Sequence, residues 1–190
     1  MVFGERGYKA TGTADIAAHL GMGEGTIYRY FENKREIVDH VLDYGVEQLV
    51  TAIQEVAPVE AAGSIDELAG QLRVIAAEVF GLFERQPQLV RVLLESTAID
   101  EELMRRVLGL IDTFAALTAG YLGHGIRVGF VRDDLNLEVL AKGLNALFMP
   151  AMFTPVIEPI GPEARAQYVE TLVAFACAGI RAPATRPDQS

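Results

Sequence analysis

An all-α fold is what this sequence predicts, and three observations carry it. Apolar residues recur at spacings of three and four along most of the chain, the period of one helix face. No sustained apolar–polar alternation of the kind a half-buried strand needs occurs, and β-branched residues do not cluster. Gly, Pro and capping residues punctuate the chain at intervals that leave segments of helical length. With 190 residues, 51% of them hydrophobic, the chain can bury a core in one large domain or two small ones.

The elements follow in order. Thr13 to Leu20 reads as a helix stopped by Gly21, and Gly25 to Phe31 as a second. A longer helix from Lys34 to Val56 is ended by Pro58. After the linker "PVEAAGS", Ser64 has the N-cap residue type and Glu67 stands three later, the capping-box spacing. The helix it opens carries Ile65, Leu68, Leu72, Ile75, Val79 and Leu82 on one face. Pro87 suits the first turn of a helix reaching Ile99. Asp100 can cap the next, from Leu103 to Val128, which Gly129 ends. Asn136 caps a helix to about Phe153. Pro155, Pro159, Gly161 and Pro162 interrupt the chain before a last helix from Glu163 to Ile180. The expectation is about nine helices, no strands and no internal repeat, with a flexible tail over 183–190.

Composition narrows the function classes. One cysteine, Cys177, excludes an intramolecular disulfide framework and a multi-cysteine metal site, and cytoplasm is the expected compartment. The apolar runs "ALFMPAMF" and "LVAFACAGI" are far short of the ~18–20 residues of a membrane span, so a soluble protein is expected. Net charge is -10, which argues against a generic nucleic-acid coat. Residues 1–40 hold five basic and six acidic side chains, whereas the remainder holds 11 and 20. The acidity therefore lies mostly outside the N-terminal segment. Enzymatic constellations are absent from the pattern: His19, His40 and His124 stand at no metal-ligand spacing, and no Ser/His/Asp motif is recognisable. Neither a metal nor a cofactor is expected. Cys177 reads as a small core residue.

The stretch "GMGEGTIYRYFENK" (21–34) is the one dense motif. A dinucleotide fingerprint would need a third glycine where Thr26 stands, and a strand before it. A helix-turn-helix fits better: Ala17 is small where the helices touch, and Gly21 supplies the turn four residues on. Ile16, Leu20, Met22, Ile27 and Tyr30 are expected to pin the pair to the core. Glu24, Thr26, Tyr28 and Arg29 are then available to the major groove, and Gly23 and Gly25 let the second helix start close to DNA. An ordinary αα-corner would satisfy the Ala-x3-Gly spacing equally well.

The segment "GYKATGTADIAAHLGMGEGTIYRYFENKREIVDHVL" (7–42) resembles the DNA-binding domain of TetR-type transcriptional regulators. The resemblance rests on Gly7-Tyr8, Ala10-Thr11, Asp15-Ile16-Ala17, Gly21, Gly25-Thr26-Ile27-Tyr28-Arg29-x-Phe31 and Lys34. A weaker one covers "GFVRDDLNLEVLAKGLNALF" (129–148), similar to the family's loop into its penultimate helix. It implies a helix-turn-helix domain over 1–45 and a ligand-binding and dimerisation domain over 46–182. The first helix of such a domain is expected to be cut short here, since Phe3 already corresponds to that helix's end.

The resemblance assigns roles. Thr26 would contact phosphate or a base edge. Tyr28 would give its hydroxyl to phosphate, and Arg29 would fork onto guanine O6 and N7. Lys34 would contact phosphate at a helix start. The sequence departs from the family pattern at Gly23, often Ser; at Glu24, often Lys; and at Tyr30, often His. Glu24 has two readings. A first-turn acid is favoured by the helix dipole by ~0.3–1 kcal/mol, and a groove-facing one can accept from cytosine N4. Either way it repels phosphate.

The resemblance also implies a two-fold dimer built from four helices, with Leu140, Leu144, Leu147, Leu172, Phe175, Ala176 and Gly179 at the interface. Plain core is the alternative for the same stripe. A pocket is expected among Phe80, Phe83, Leu93, Met104, Phe114, Leu117, Tyr121, Phe148, Met149 and Met152, with Glu95, His124 and Asn145 as candidate polar anchors. The function so implied is a repressor that binds a palindromic operator and is released by a small, mostly apolar effector. The competing reading is a dimeric helical binding protein that has lost its hold on DNA.

Overall fold

The computed structural model describes residues 8, 10–85, 101–157 and 161–183, with the backbone alone at 83 and 151–157. Seven α-helices occupy them: α1 Thr13–His19, α2 Glu24–Ile27, α3 Lys34–Val56, α4 Ile65–Arg85, α5 Glu101–Val128, α6 Leu137–Ile157 and α7 Pro162–Ile180. A 3-10 turn, Val59–Ala61, links α3 to α4. No strand forms among the described residues. One isolated antiparallel bridge, Val131 with Arg181, ties the loop after α5 to the end of α7. The helix expected from Pro87 to Ile99 lies outside the described residues. No described helix is long and apolar enough to cross a membrane.

Local chemistry sets the boundaries. Asn33 caps α3, its Oδ1 accepting from Glu36 N–H at 3.1 Å. Ser64 caps α4 through Glu67 N–H at 3.2 Å, while the Glu67 carboxylate reaches back to Gly63 N–H at 2.6 Å. Asn136 caps α6 through Val139 N–H at 3.0 Å. α1 ends where Gly21 takes φ 65°. Gly21 N–H then bonds Ala18 C=O at 3.2 Å and Met22 N–H bonds Ala17 C=O at 2.9 Å. That pair of bonds is the Schellman closure, and it needs a residue comfortable in the left-handed region.

Two boundaries differ from expectation. α2 is one turn long, because Arg29 N–H bonds Thr26 C=O and Tyr30 N–H bonds Ile27 C=O, tightening the chain to a 3-10 pattern after Ile27. α6 runs on through Pro155 to Ile157. Pro150 and Pro155 both lie inside it, each removing one intrahelical N–H donor without ending the helix.

Three clusters fill the interior. The N-terminal one joins Tyr8, Ile16, Ala17, Ile27, Ile37, Val38 and Leu42 with Leu103 from the first turn of α5. The largest spans α4, α5, α6 and α7 around Leu68, Phe80, Leu122, Ala141 and Val173. A small one, Leu49, Ile53 and Val79, bridges α3 and α4. α3 runs unbroken from the first unit into the second. Bidentate bonds from Arg73 to Glu170, 2.7 and 2.9 Å, clip α4 to α7 and hold the Glu170 carboxyl below its ordinary range.

Close approach fixes one glycine. A Cβ at Gly125 would lie 2.7 Å from Phe130 Cε2 and nearer still to Val131, a buried side chain. Gly125→Ala should therefore lose about 1–2 kcal/mol net, because overpacking outweighs the helix gain of Ala. Gly109, on the same helix, has nothing within 4 Å of such a Cβ, so Gly109→Ala should gain roughly 0.5–1 kcal/mol. Urea unfolding of the two variants side by side checks the contrast.

Candidate DNA-reading head and effector cavity

The reading head is built on α1 and α2. Gly23, Glu24, Gly25, Tyr28, Arg29 and Tyr30 are exposed, Thr26 is half-buried and Ile27 is buried. The head's surface is therefore made of the residues the motif singled out. Leu20, Met22 and Tyr30 are not core: they are 57%, 42% and 69% exposed. The reason is the short helices. Leu20 and Met22 follow the end of α1, and Tyr30 follows the end of α2. Tyr8 and Thr11 are buried instead.

Three side chains interlock across the two helices. Tyr28 Oη stands 2.8 Å from Thr13 Oγ1, and Thr13 Oγ1–H reaches Glu24 Oε1 at 3.4 Å. Glu24 thus has a partner that neither reading of the sequence supplied. It helps orient the hydroxyl that holds Tyr28. The Arg29 side chain is exposed and holds no ion pair among the described residues. Lys34 is engaged inside the protein: its Nζ donates to Tyr8 C=O at 2.6 Å and lies 4.3 Å from the Tyr8 ring centroid. Burial lowers its pKa. Cation–π and carbonyl contacts together fasten the turn at Tyr8 onto α3. His40 Nδ1 bonds Glu36 C=O at 2.9 Å and its ring meets Phe31 edge-on, while His19 is exposed.

The second site is a cavity of about 230 Å³. Leu49 and Ile53 of α3 form one wall, and Leu68, Leu72, Ile75 and Phe80 of α4 another. Val107, Leu110, Phe114, Leu117, Thr118 and Tyr121 of α5 face Leu144, Asn145, Phe148 and Met149 of α6, with Ala176 and Ile180 of α7 closing the space. Of the expected pocket residues, Phe80, Phe114, Leu117, Tyr121, Phe148 and Met149 come together here. Met104 does not. It is 40% exposed, because it follows Leu103, which turns into the N-terminal core and leaves its neighbour facing solvent. Leu93 and Glu95 lie outside the described residues, as do the side chains of Phe83 and Met152. His124 bonds Ala62 C=O at 2.9 Å and is no cavity anchor. The Tyr121 hydroxyl donates to Ala57 C=O, where it closes the end of α3, and burial raises its pKa. The aliphatic walls from α3 and α4 carried no signal in sequence that separates a cavity from packed core.

The expected dimer face divides. Leu140 packs on the core, Leu144 lines the cavity and Ala176 is buried beside it. These three belong to the interior, because α6 and α7 each turn one stripe inward. Leu172 is half-buried. Leu147, Phe175 and Gly179 face outward, with Val139 beyond them, and Phe175 and Val139 are 66% and 69% exposed.

Comparison with known proteins agrees with this architecture. Residues 1–41 match the family model for bacterial regulatory proteins of the tetR family. The fatty acid metabolism regulator protein of Bacillus subtilis strain 168 is 26% identical over 139 residues, 73% of this chain and 69% of that one. The HTH-type transcriptional repressor KstR2 of Rhodococcus jostii RHA1 is 25% identical over 146 residues, 76% of this chain and 69% of that one. The crystal structure of FadR from Bacillus subtilis in complex with stearoyl-CoA shares the fold, with TM-score 0.78 and 21% identity over 94% of each chain. The N-terminal 41 residues are thus similar to bacterial regulatory proteins of the tetR family, and the chain shares the fold of that FadR structure.

Proposed function

We propose that this regulator is a repressor that grips a palindromic operator as a homodimer and is released by a small, mostly apolar effector. One observation carries the reading: the cavity is walled by α3 and α5, and both helices also supply the core of the reading head, through Leu42 and Leu103. An effector changes the DNA-binding state only if it binds one arrangement of these helices better than the other. Spreading or rotating α5 around a ligand would move Leu103 in its socket. Two of the comparisons support an apolar effector, since one relative is named for fatty acid metabolism and one solved structure holds stearoyl-CoA.

The exposed Val139, Leu147, Phe175 and Gly179 offer the apolar, close-approach surface that a two-fold helix pair needs. On DNA, Tyr28 can turn its proton to a phosphate and accept the Thr13 proton in place of Glu24, and Arg29 extends to a base edge. The competing reading, a binding protein without DNA affinity, draws on Lys34, whose ammonium is occupied by Tyr8. A gel-shift titration with the intergenic DNA upstream of its own coding sequence separates the two. A retarded complex at nanomolar protein that dissolves on adding apolar extract is the expected result. Effector binding without any shift selects the competing reading.

A further inference from the structure

The cavity has one polar place. Thr118 on α5 and Asn145 on α6 meet in its wall, and the Thr118 hydroxyl donates to Asn145 Oδ1 at 2.8 Å. That bond orients the amide. Its Nδ2 is buried and has no partner among the described residues. The third polar residue of the wall, Tyr121, already donates its proton to Ala57 C=O. Among the described residues, no Lys, Arg, His, Asp or Glu lines the cavity. Arg165 stacks on Phe80 with its guanidinium 5.5 Å from the ring centroid, but it is not among the lining residues and is paired with Glu84.

We infer that the effector carries a neutral carbonyl oxygen on an apolar body, as in a ketone, ester, amide or thioester, and that Asn145 Nδ2 donates to it. The inference rests on the cavity being the effector site. Each rival chemistry leaves something unmet. A carboxylate would bury its charge with no cation among the described residues of the wall. A hydrocarbon leaves the Asn145 donor unpaired, and an alcohol satisfies that donor only by burying a hydroxyl proton of its own. Size follows from volume. An apolar cavity of ~150 Å³ admits benzene, so scaling its six carbons to about 230 Å³ gives roughly nine non-hydrogen atoms.

The nine-atom ketone 2-octanone is therefore the probe, compared with octane, 1-octanol and octanoate by isothermal titration calorimetry on the full chain. The ketone should bind about tenfold tighter than octane or octanol, and octanoate should give no heat. Asn145→Leu should erase the ketone's advantage over octane while its melting temperature stays at or above that of the parent. The inference is overturned if octane matches the ketone, if octanoate binds best, or if the Leu variant keeps the preference. The wild-type series decides by itself should the variant not fold. Binding of none of the four overturns the effector-site reading, and this inference with it.

Discussion

Leu103→Ala will lower stability by about 2–5 kcal/mol, a large share of the roughly 5–15 kcal/mol that holds a domain together. Leu103 is fully buried. It leaves the first turn of α5 and enters a socket made by Ile16 and Ala17 of α1, Ile27 of α2, and Ile37, Val38 and Leu42 of α3. One turn further along, Val107 belongs to the cavity wall. Truncation therefore leaves a void at the only fully buried apolar plug that α5 gives the reading head among the described residues. Two effects should separate. Urea unfolding followed by circular dichroism should show the lost stability. Operator affinity should become nearly the same with and without effector, because α5 no longer holds the head. Leu103→Met keeps the volume and should stay within about 1.5 kcal/mol of the parent, with its response intact.

The ion pairs around that plug are the contrast. Arg35 meets Glu102 at 2.6 Å and Arg106 meets Asp43, but these four side chains are well exposed. Exposed pairs contribute about 0.2–1 kcal/mol, so Arg106→Ala should cost far less than Leu103→Ala. Asp39 sits among them. Burial raises its pKa, and the charges of Arg106 and Arg35 pull it back. A carboxyl raised on folding favours the folded state at low pH and loses that contribution as pH climbs through its folded value, so acid does not loosen this joint through Asp39. Parity between the Ala variant at Leu103 and the parent in urea would remove the plug from the argument.

What could be read from sequence was the chemistry that acts within three or four residues. Asn33, Ser64, Asn136 and Gly21 announce their caps and turn because the donor and acceptor are both local. The motif on α2 was legible for the same reason. The direction of an apolar side chain was not. Leu103 and Met104 are adjacent, similar in size and opposite in fate, and only the packing of α5 against α3 sets the phase. Leu144 and Ala176 looked like dimer residues because helical spacing says that a stripe is buried without saying against what. Leu20 and Met22 were expected to pin the helix pair to the core, but both follow His19, the last residue of α1, and the turn there leaves them exposed. Lys34 reads as a phosphate contact until the fold brings Tyr8 beneath it, 26 residues away in sequence.

Arg29→Ala should abolish operator preference, whereas Lys34→Ala should weaken every sequence alike. The Arg29 side chain is exposed just beyond α2 and holds no partner among the described residues, so its fork is free for a guanine edge. One bidentate contact is worth about 1–3 kcal/mol of discrimination, and the proposed two-fold dimer would make it twice, so ~2–6 kcal/mol of specificity should disappear. Loss of a charge also lowers the salt slope, but only by about one phosphate equivalent per head. Lys34 acts differently because its ammonium holds the Tyr8 turn against α3. Removing it loosens the scaffold under the head, and looseness penalises matched and mismatched DNA equally. Competition shifts with operator and scrambled duplexes, repeated at several salt concentrations, give both the ratio and the slope. If the two variants lose the ratio equally, Arg29 is a phosphate contact and the reader must be sought among Glu24, Thr26 and Tyr30.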